Sequence, residues 1–328
     1  MTPEIRPAAA LPVAGGIPSR IIVPALIGAA GPNASRRFVE FFTAHIRNRG
    51  TRAAYARAVS NFCAWCDSQR LSFDQIEPIV IAAYVESLTG HLSAPTVKLH
   101  LAAIRMLMDY LVTGGLMAFN PAASVRGPKH VVKKGKTPVL DAFEARQLLD
   151  AIDTSTIIGL RDRALISVMV YSFARVSAAL GMNVEDYFQQ GRRMWFRLHE
   201  KGGKRHEVPA HHNAEAYVDT YLEAAGIMDQ SKTPLFLSIA PDKRGLSANR
   251  MSRTDALRMI KRRARAAGLP ETIGCHTWRA TGITTYLRNG GTLEKAMTIA
   301  NHESARTTKL YDRTGDDVSL DEIERIRI

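Results

Sequence analysis

With 328 residues, 46% of them apolar, the chain is long enough for two domains that each bury a core. Its 44 lysines and arginines outnumber 31 acidic residues, and a net charge of +13 suits polyanionic partners such as nucleic acid rather than basic ones, without naming any. Three cysteines cannot build a disulfide framework, and their odd number argues for a reducing compartment, the cytoplasm.

Residues 1–34 are rich in Ala, Pro and Gly and are expected to form a flexible tail. The most apolar run there, 21–31, is interrupted by Pro24 and falls short of the roughly twenty apolar residues that a membrane span needs. Glu4 beside Arg6, with prolines in the apolar part, does not fit a secretory leader.

From 35 to 125 the pattern is helical and predicts an all-α domain of four or so helices. Tyr55, Val59, Phe62 and Cys66 fall on one helical face. Val97, Leu101, Ile104, Met108 and Leu111 repeat the device, opened by Ser93 and Pro95 and closed by Gly114. Arginines at 36, 37, 47, 49, 52 and 57 give this domain a basic side. Cys63 and Cys66 lie within the amphipathic pattern with no second ligand pair nearby, so they read as core thiols rather than a zinc site.

Residues 126–138 lose apolar periodicity while carrying Arg126, Lys129, Lys133, Lys134 and Lys136, as a basic interdomain linker would. From 139 to 328 the pattern is mixed, predicting a mainly helical α+β domain with a small antiparallel sheet. Asp141 and Glu144 form a capping box, and Leu160, Ala164, Val168 and Tyr171 line a helix. The segments NVEDYF, RMWFRL and HEVPA read as three short strands. Helical patterns follow, ending in an amphipathic stretch over 316–328.

The residues that carry chemistry lie in this second domain. A phosphodiester resists attack because charge grows on its nonbridging oxygens, and guanidinium groups relieve that charge through forked, permanently protonated donors. Arg175 and Arg279 are the candidates, with His276 one helical turn before Arg279. Lys201 and Lys204 sit on a glycine-flexed turn, EKGGKR, from which one lysine can deliver a proton to a leaving alkoxide. His302 and Tyr311 close the series, the tyrosine being a phenol that nearby cations would activate as a nucleophile.

These residues stand in SFARVSAAL, EKGGKRHEVPA, HTWR and NHESARTTKLY, which resemble the motifs of the tyrosine recombinase, or phage integrase, family. Upstream, Thr51, Tyr55, Phe62 and Trp65, then APTVKLHLAAIRMLMDYL and Asn120-Pro121, resemble that family's helical core-binding domain. The resemblance implies that Tyr311 attacks a scissile phosphate to give a 3'-phosphotyrosine and a free 5'-hydroxyl. Lys201 would protonate the leaving oxygen, Arg175 and Arg279 would hold the phosphate, His276 would help accept the tyrosine proton, and His302 would bond a nonbridging oxygen. Neither metal nor ATP would be required, and no cofactor is expected. Partners implied are double-stranded DNA with inverted half-sites, a homotetramer spanning two duplexes, and in some systems accessory proteins, with no membrane. The same motifs leave open a catalytically idle DNA-binding protein of this fold and a type IB topoisomerase-like relaxation activity. One departure stands out: where the family has an acidic residue three positions after the first arginine, this chain has Ala178, and Asp186 or Glu185 is the expected substitute.

Overall fold

The computed structural model describes residues 22–130, 135–200 and 203–312. The chain divides into two compact units, Met1–Val131 and Val132–Ile328.

Every regular element in the described part of the first unit is helical, the α-helices being α1 (Ala25–Ala29), α2 (Pro32–Glu40), α3 (Arg49–Ser68), α4 (Pro78–Thr89) and α5 (Ala94–Thr113). Asn48 starts α3 by accepting from the Thr51 amide at 3.0 Å, and Ser93 with Pro95 starts α5. Helices α3 and α5 pack along the faces read from the sequence, burying Val59, Phe62 and Cys66 against Val97, Leu101, Ile104, Met108 and Leu111. Each fully buried side chain of this size contributes about 1.5–3 kcal/mol. Cys63 and Cys66 lie in that core, and burial pushes both thiols up to about 12, which makes them inert.

Two expectations change here. The expected tail over 1–34 is helical from Ala25, and Leu26, Ile27 and Ala34 are buried in the core, so an Ala/Pro/Gly-rich composition concealed a docking segment. The basic side is also not wholly free, because Arg52 donates from Nε and Nη2 to the Ile46 carbonyl at 2.9 and 2.7 Å and so braces the turn before α3.

The second unit opens with α6 (Ala142–Asp150), whose capping box joins Asp141 and Glu144 reciprocally at 2.7 and 2.9 Å. The apolar helix α7 (Ile157–Tyr171) runs through the middle, and α8 (Val176–Gly181) follows. Strands β1 (Tyr187–Gln190), β2 (Arg193–His199) and β3 (Arg205–Pro209) form an antiparallel meander in that order. Helix α9 (His212–Ala225), the hairpin β4 (Leu237–Ile239) and β5 (Leu246–Arg250), then α10 (Arg253–Ala266), α11 (Cys275–Arg288), α12 (Leu293–Ile299) and α13 (Ala305–Lys309) complete the described unit. The β4–β5 hairpin was not anticipated, and residues 184–186 of the first expected strand form a 3-10 turn instead.

Helix α7 packs on both α9 and α11. Its crossing with α11 is close because of Gly282: a Cβ there would lie 2.1 Å from the Val170 carbonyl oxygen. Buried Asp162 on α7 also accepts from Arg262 and Arg263 of α10 at 3.2 and 2.8 Å, and pairs with Arg161. The glycine contact and the charge cluster fix α10 and α11 against α7, and α11 carries part of the site.

Candidate active site

Arg175 stands at the N-terminus of α8, two residues after Phe173, which holds the left-handed φ of +52° without being glycine. His276 and Arg279 lie one turn apart on α11. Helix α12 ends in a Schellman motif: Asn301 takes φ of +48° and bonds Thr298, while the His302 amide bonds the Met297 carbonyl at 3.0 Å. Asparagine tolerates that conformation, and the reversal turns His302 inward. Helix α13, capped by Ser304, then delivers Tyr311, whose carbonyl accepts from Thr284 Oγ1 of α11 at 2.9 Å.

Five of the six residues singled out from the sequence therefore converge: Arg175, His276, Arg279, His302 and Tyr311. The sixth, Lys201, lies outside the described residues, as does the expected helix over 316–328. The Tyr311 hydroxyl is 2.6 Å from His276 Nε2, and the tyrosine ring stacks on His302 at 5.8 Å between centroids. Burial raises the Tyr311 pKa above 10, an effect that the charges of Arg279 and Arg175 oppose. The group is a phenol at neutral pH and needs a base. His276 suits that need, because loss of hydration on its inner side, then the Arg279 and Arg175 charges, push its pKa below 6.5 and keep the ring neutral.

Arg279 is buried, and its Nη1 donates to the Phe173 carbonyl. Nη2 donates to the Ala300 carbonyl at 2.6 Å and lies 2.6 Å from His302 Nε2. Its Nε is buried with the rest of the group and has no hydrogen-bond acceptor among the described residues. Burial, followed by repulsion from Arg175, lowers its pKa to about 10, so it stays charged at neutral pH. His302 drops to about 3, through burial first and then the Arg279 charge, and is neutral. Because Nε2 faces a guanidinium donor, the ring proton belongs on Nδ1, which donates to Thr308 Oγ1 at 2.8 Å.

Lys204, the alternative acid, donates to Glu303 at 2.9 Å on the open surface, and that bond raises its pKa. Neither expected substitute for the carboxylate absent at 178 reaches Arg175. Asp186 bonds His199 Nε2 at 2.8 Å and Glu185 pairs with Lys232 at 2.8 Å. Arg175 Nη1 donates instead to Glu200 Oε2 at 2.6 Å. Glu200 and Thr308 are the partners that sequence reading passed over. A signal for Glu200 was present: with Phe196 and Leu198 it continues the inward parity of β2, a carboxylate at a core-facing position.

A helical unit followed by a mixed unit, with a buried tyrosine against two neutral histidines and within the field of two arginines, defines a tyrosine recombinase. The pattern of the phage integrase family matches residues 138–317, and that of the phage integrase N-terminal SAM-like domain matches 38–115. The chain belongs to the phage integrase family. It is 30% identical to tyrosine recombinase XerD of Corynebacterium glutamicum, covering 84% of this chain and 90% of that one. It is 29% identical to tyrosine recombinase XerC of Thermodesulfovibrio yellowstonii, covering 73% and 78%. A lambda integrase tetramer bound to a Holliday junction shares the fold, with a TM-score of 0.64 at 17% identity over 87% of this chain and 78% of that one.

Proposed function

We propose that Tyr311 is the nucleophile with which this tyrosine recombinase cuts and rejoins DNA, and that Arg175, His276, Arg279 and His302 serve it in the roles that follow. The Tyr311 oxygen attacks phosphorus while His276 Nε2 takes the phenolic proton. The bond to the 5'-oxygen breaks, Lys201 supplies that oxygen with a proton, and a 3'-phosphotyrosine and a 5'-hydroxyl result. A 5'-hydroxyl from a partner strand reverses the step and restores the phosphodiester. Arg175 and Arg279 neutralise the nonbridging oxygens, where charge grows most at the pentacoordinate stage. His302 donates to one of these oxygens once Arg279 turns towards the phosphate, the Thr308 hydroxyl reversing to donate to Nδ1.

The observation that carries this reading is the 2.6 Å contact between Tyr311 Oη and His276 Nε2, a base held neutral against a phenol held protonated. The DNA partner we propose is a duplex with inverted half-sites, bound by four protomers across two duplexes, as the tetrameric lambda integrase neighbour suggests. Accessory proteins belong to the same proposal. We assign duplex binding to the helical region 35–125, backbone tracking to the basic segment 126–138, catalysis to 139–328, and residence to the cytoplasm, in keeping with three free cysteines.

A nicked suicide substrate tests the central assignment, because loss of the short 5'-fragment traps protein on DNA. Tyr311→Phe should bind that substrate with wild-type affinity and form no adduct on a denaturing gel. An adduct in the phenylalanine variant refutes the assignment.

A further inference from the structure

We infer that Glu200 is the residue that positions Arg175, supplying from the end of β2 the carboxylate that position 178 lacks. The inference rests on the proposed role of Arg175 as a phosphate-holding group.

Ala178 follows Arg175 by three residues on α8, is buried in the core and offers the guanidinium only a methyl group. Glu200 reaches the same guanidinium from a different element, with Oε2 at 2.6 Å from Nη1. Exposure shows the division of labour: the Glu200 side chain is 4% exposed, whereas that of Arg175 is 37% exposed. The carboxylate lies behind the arginine and leaves the outer N–H groups to a ligand. A carboxylate that mimicked the phosphate would cover the open face instead.

Three other acids of this unit are engaged elsewhere. Asp186 holds His199, Glu185 holds Lys232, and Asp162 holds Arg262 and Arg263. The Glu200 charge also acts on Arg279, so one carboxylate set against two arginines leaves a surplus of one positive charge for an anion. Its amide bonds the Lys204 carbonyl at 2.9 Å and closes the β2–β3 hairpin, and it directly precedes Lys201 in the chain. One residue thereby ties the phosphate-holding arginine to the hairpin that bears the proposed acid. A freed arginine would populate several rotamers, and an error of about 1 Å in such a group costs on the order of a hundredfold in rate.

The test compares single-turnover cleavage of two suicide substrates, one with the ordinary scissile phosphate and one with a methylphosphonate there. The methylphosphonate lacks the nonbridging charge that a guanidinium offsets, so a variant impaired in that function alone loses less on it. Glu200→Ala should cleave the phosphate substrate about ten- to a hundredfold more slowly than wild type, bind DNA as wild type does, and lose several-fold less on the methylphosphonate. Glu200→Gln preserves volume and fold while giving up the charge, and should show the same narrowing with a smaller loss. Arg175→Ala serves as the reference. If it shows no narrowing, the proposed role of Arg175 fails. If it narrows while the Glu200 variants do not, the inference about Glu200 is overturned. Glutamine or alanine variants that cleave at the wild-type rate, or lose equally on both substrates, overturn it as well.

Discussion

Thr308→Val probes the buried support of His302 with almost no change in shape. Thr308 is fully buried, and its Oγ1 accepts the proton that His302 carries on Nδ1 at 2.8 Å. Valine leaves that N–H buried without an acceptor, which costs about 1–3 kcal/mol. The ring cannot escape by moving its proton to Nε2, because Arg279 Nη2 stands 2.6 Å away and two donors would then face each other. The side chain must rotate or take in water, and either change moves His302 off the Tyr311 ring on which it stacks. We expect a fall of several degrees in the thermal midpoint of the catalytic unit. Single-turnover cleavage should slow by about tenfold or more, with half-site binding unchanged. Thr308→Ser, which keeps the hydroxyl, should recover most of the loss. Calorimetry and suicide-substrate kinetics measure the two effects. A valine variant that cleaves and melts like wild type would show that the Thr308 bond does not hold His302 and that the assigned tautomer is wrong.

Three further outcomes are expected. Because burial and the charges of Arg279 and Arg175 depress the His276 pKa, its neutral form persists below pH 6.5, so the cleavage rate should stay level through that value and decline only at lower pH; an acid limb centred at or above 6.5 contradicts the base assignment. Lys201→Ala should be rescued by a 5'-bridging phosphorothiolate, whose sulfur leaves without a proton, whereas Lys204→Ala, which removes an exposed pair with Glu303, should cleave both substrates within a few-fold of wild type; the reverse pattern moves the acid to Lys204. Gly282→Ala would thrust a Cβ to 2.1 Å from the Val170 carbonyl, so it should destabilise the catalytic unit by about 1–3 kcal/mol or more and lower cleavage with it, as calorimetry would show.

Much of this molecule was legible in its residues because the relevant signals are local. The apolar stripes of α3 and α5, the Asp141–Glu144 box and the one-turn spacing of His276 and Arg279 are all set within a few residues of chain. The β4–β5 hairpin escaped notice because strands of three and five residues leave little alternation to detect. The segment 25–34 escaped because its burial depends on a groove that only the assembled helices provide.

What tertiary structure alone decided is which groups meet. Sequence named Arg175 and recorded the missing acid at 178, but its partner is 25 residues away, brought there by the parity of β2 and its pairing with β3. Asp186 and Glu185 are nearer in sequence, yet their bonds go to His199 and Lys232. The protonation states of Tyr311, His276 and His302 likewise follow from burial and from two guanidinium charges at close range, and neither quantity exists until the chain has folded. Motif and periodicity are properties of neighbours along the chain, whereas an ion pair or a shifted pKa belongs to neighbours in space.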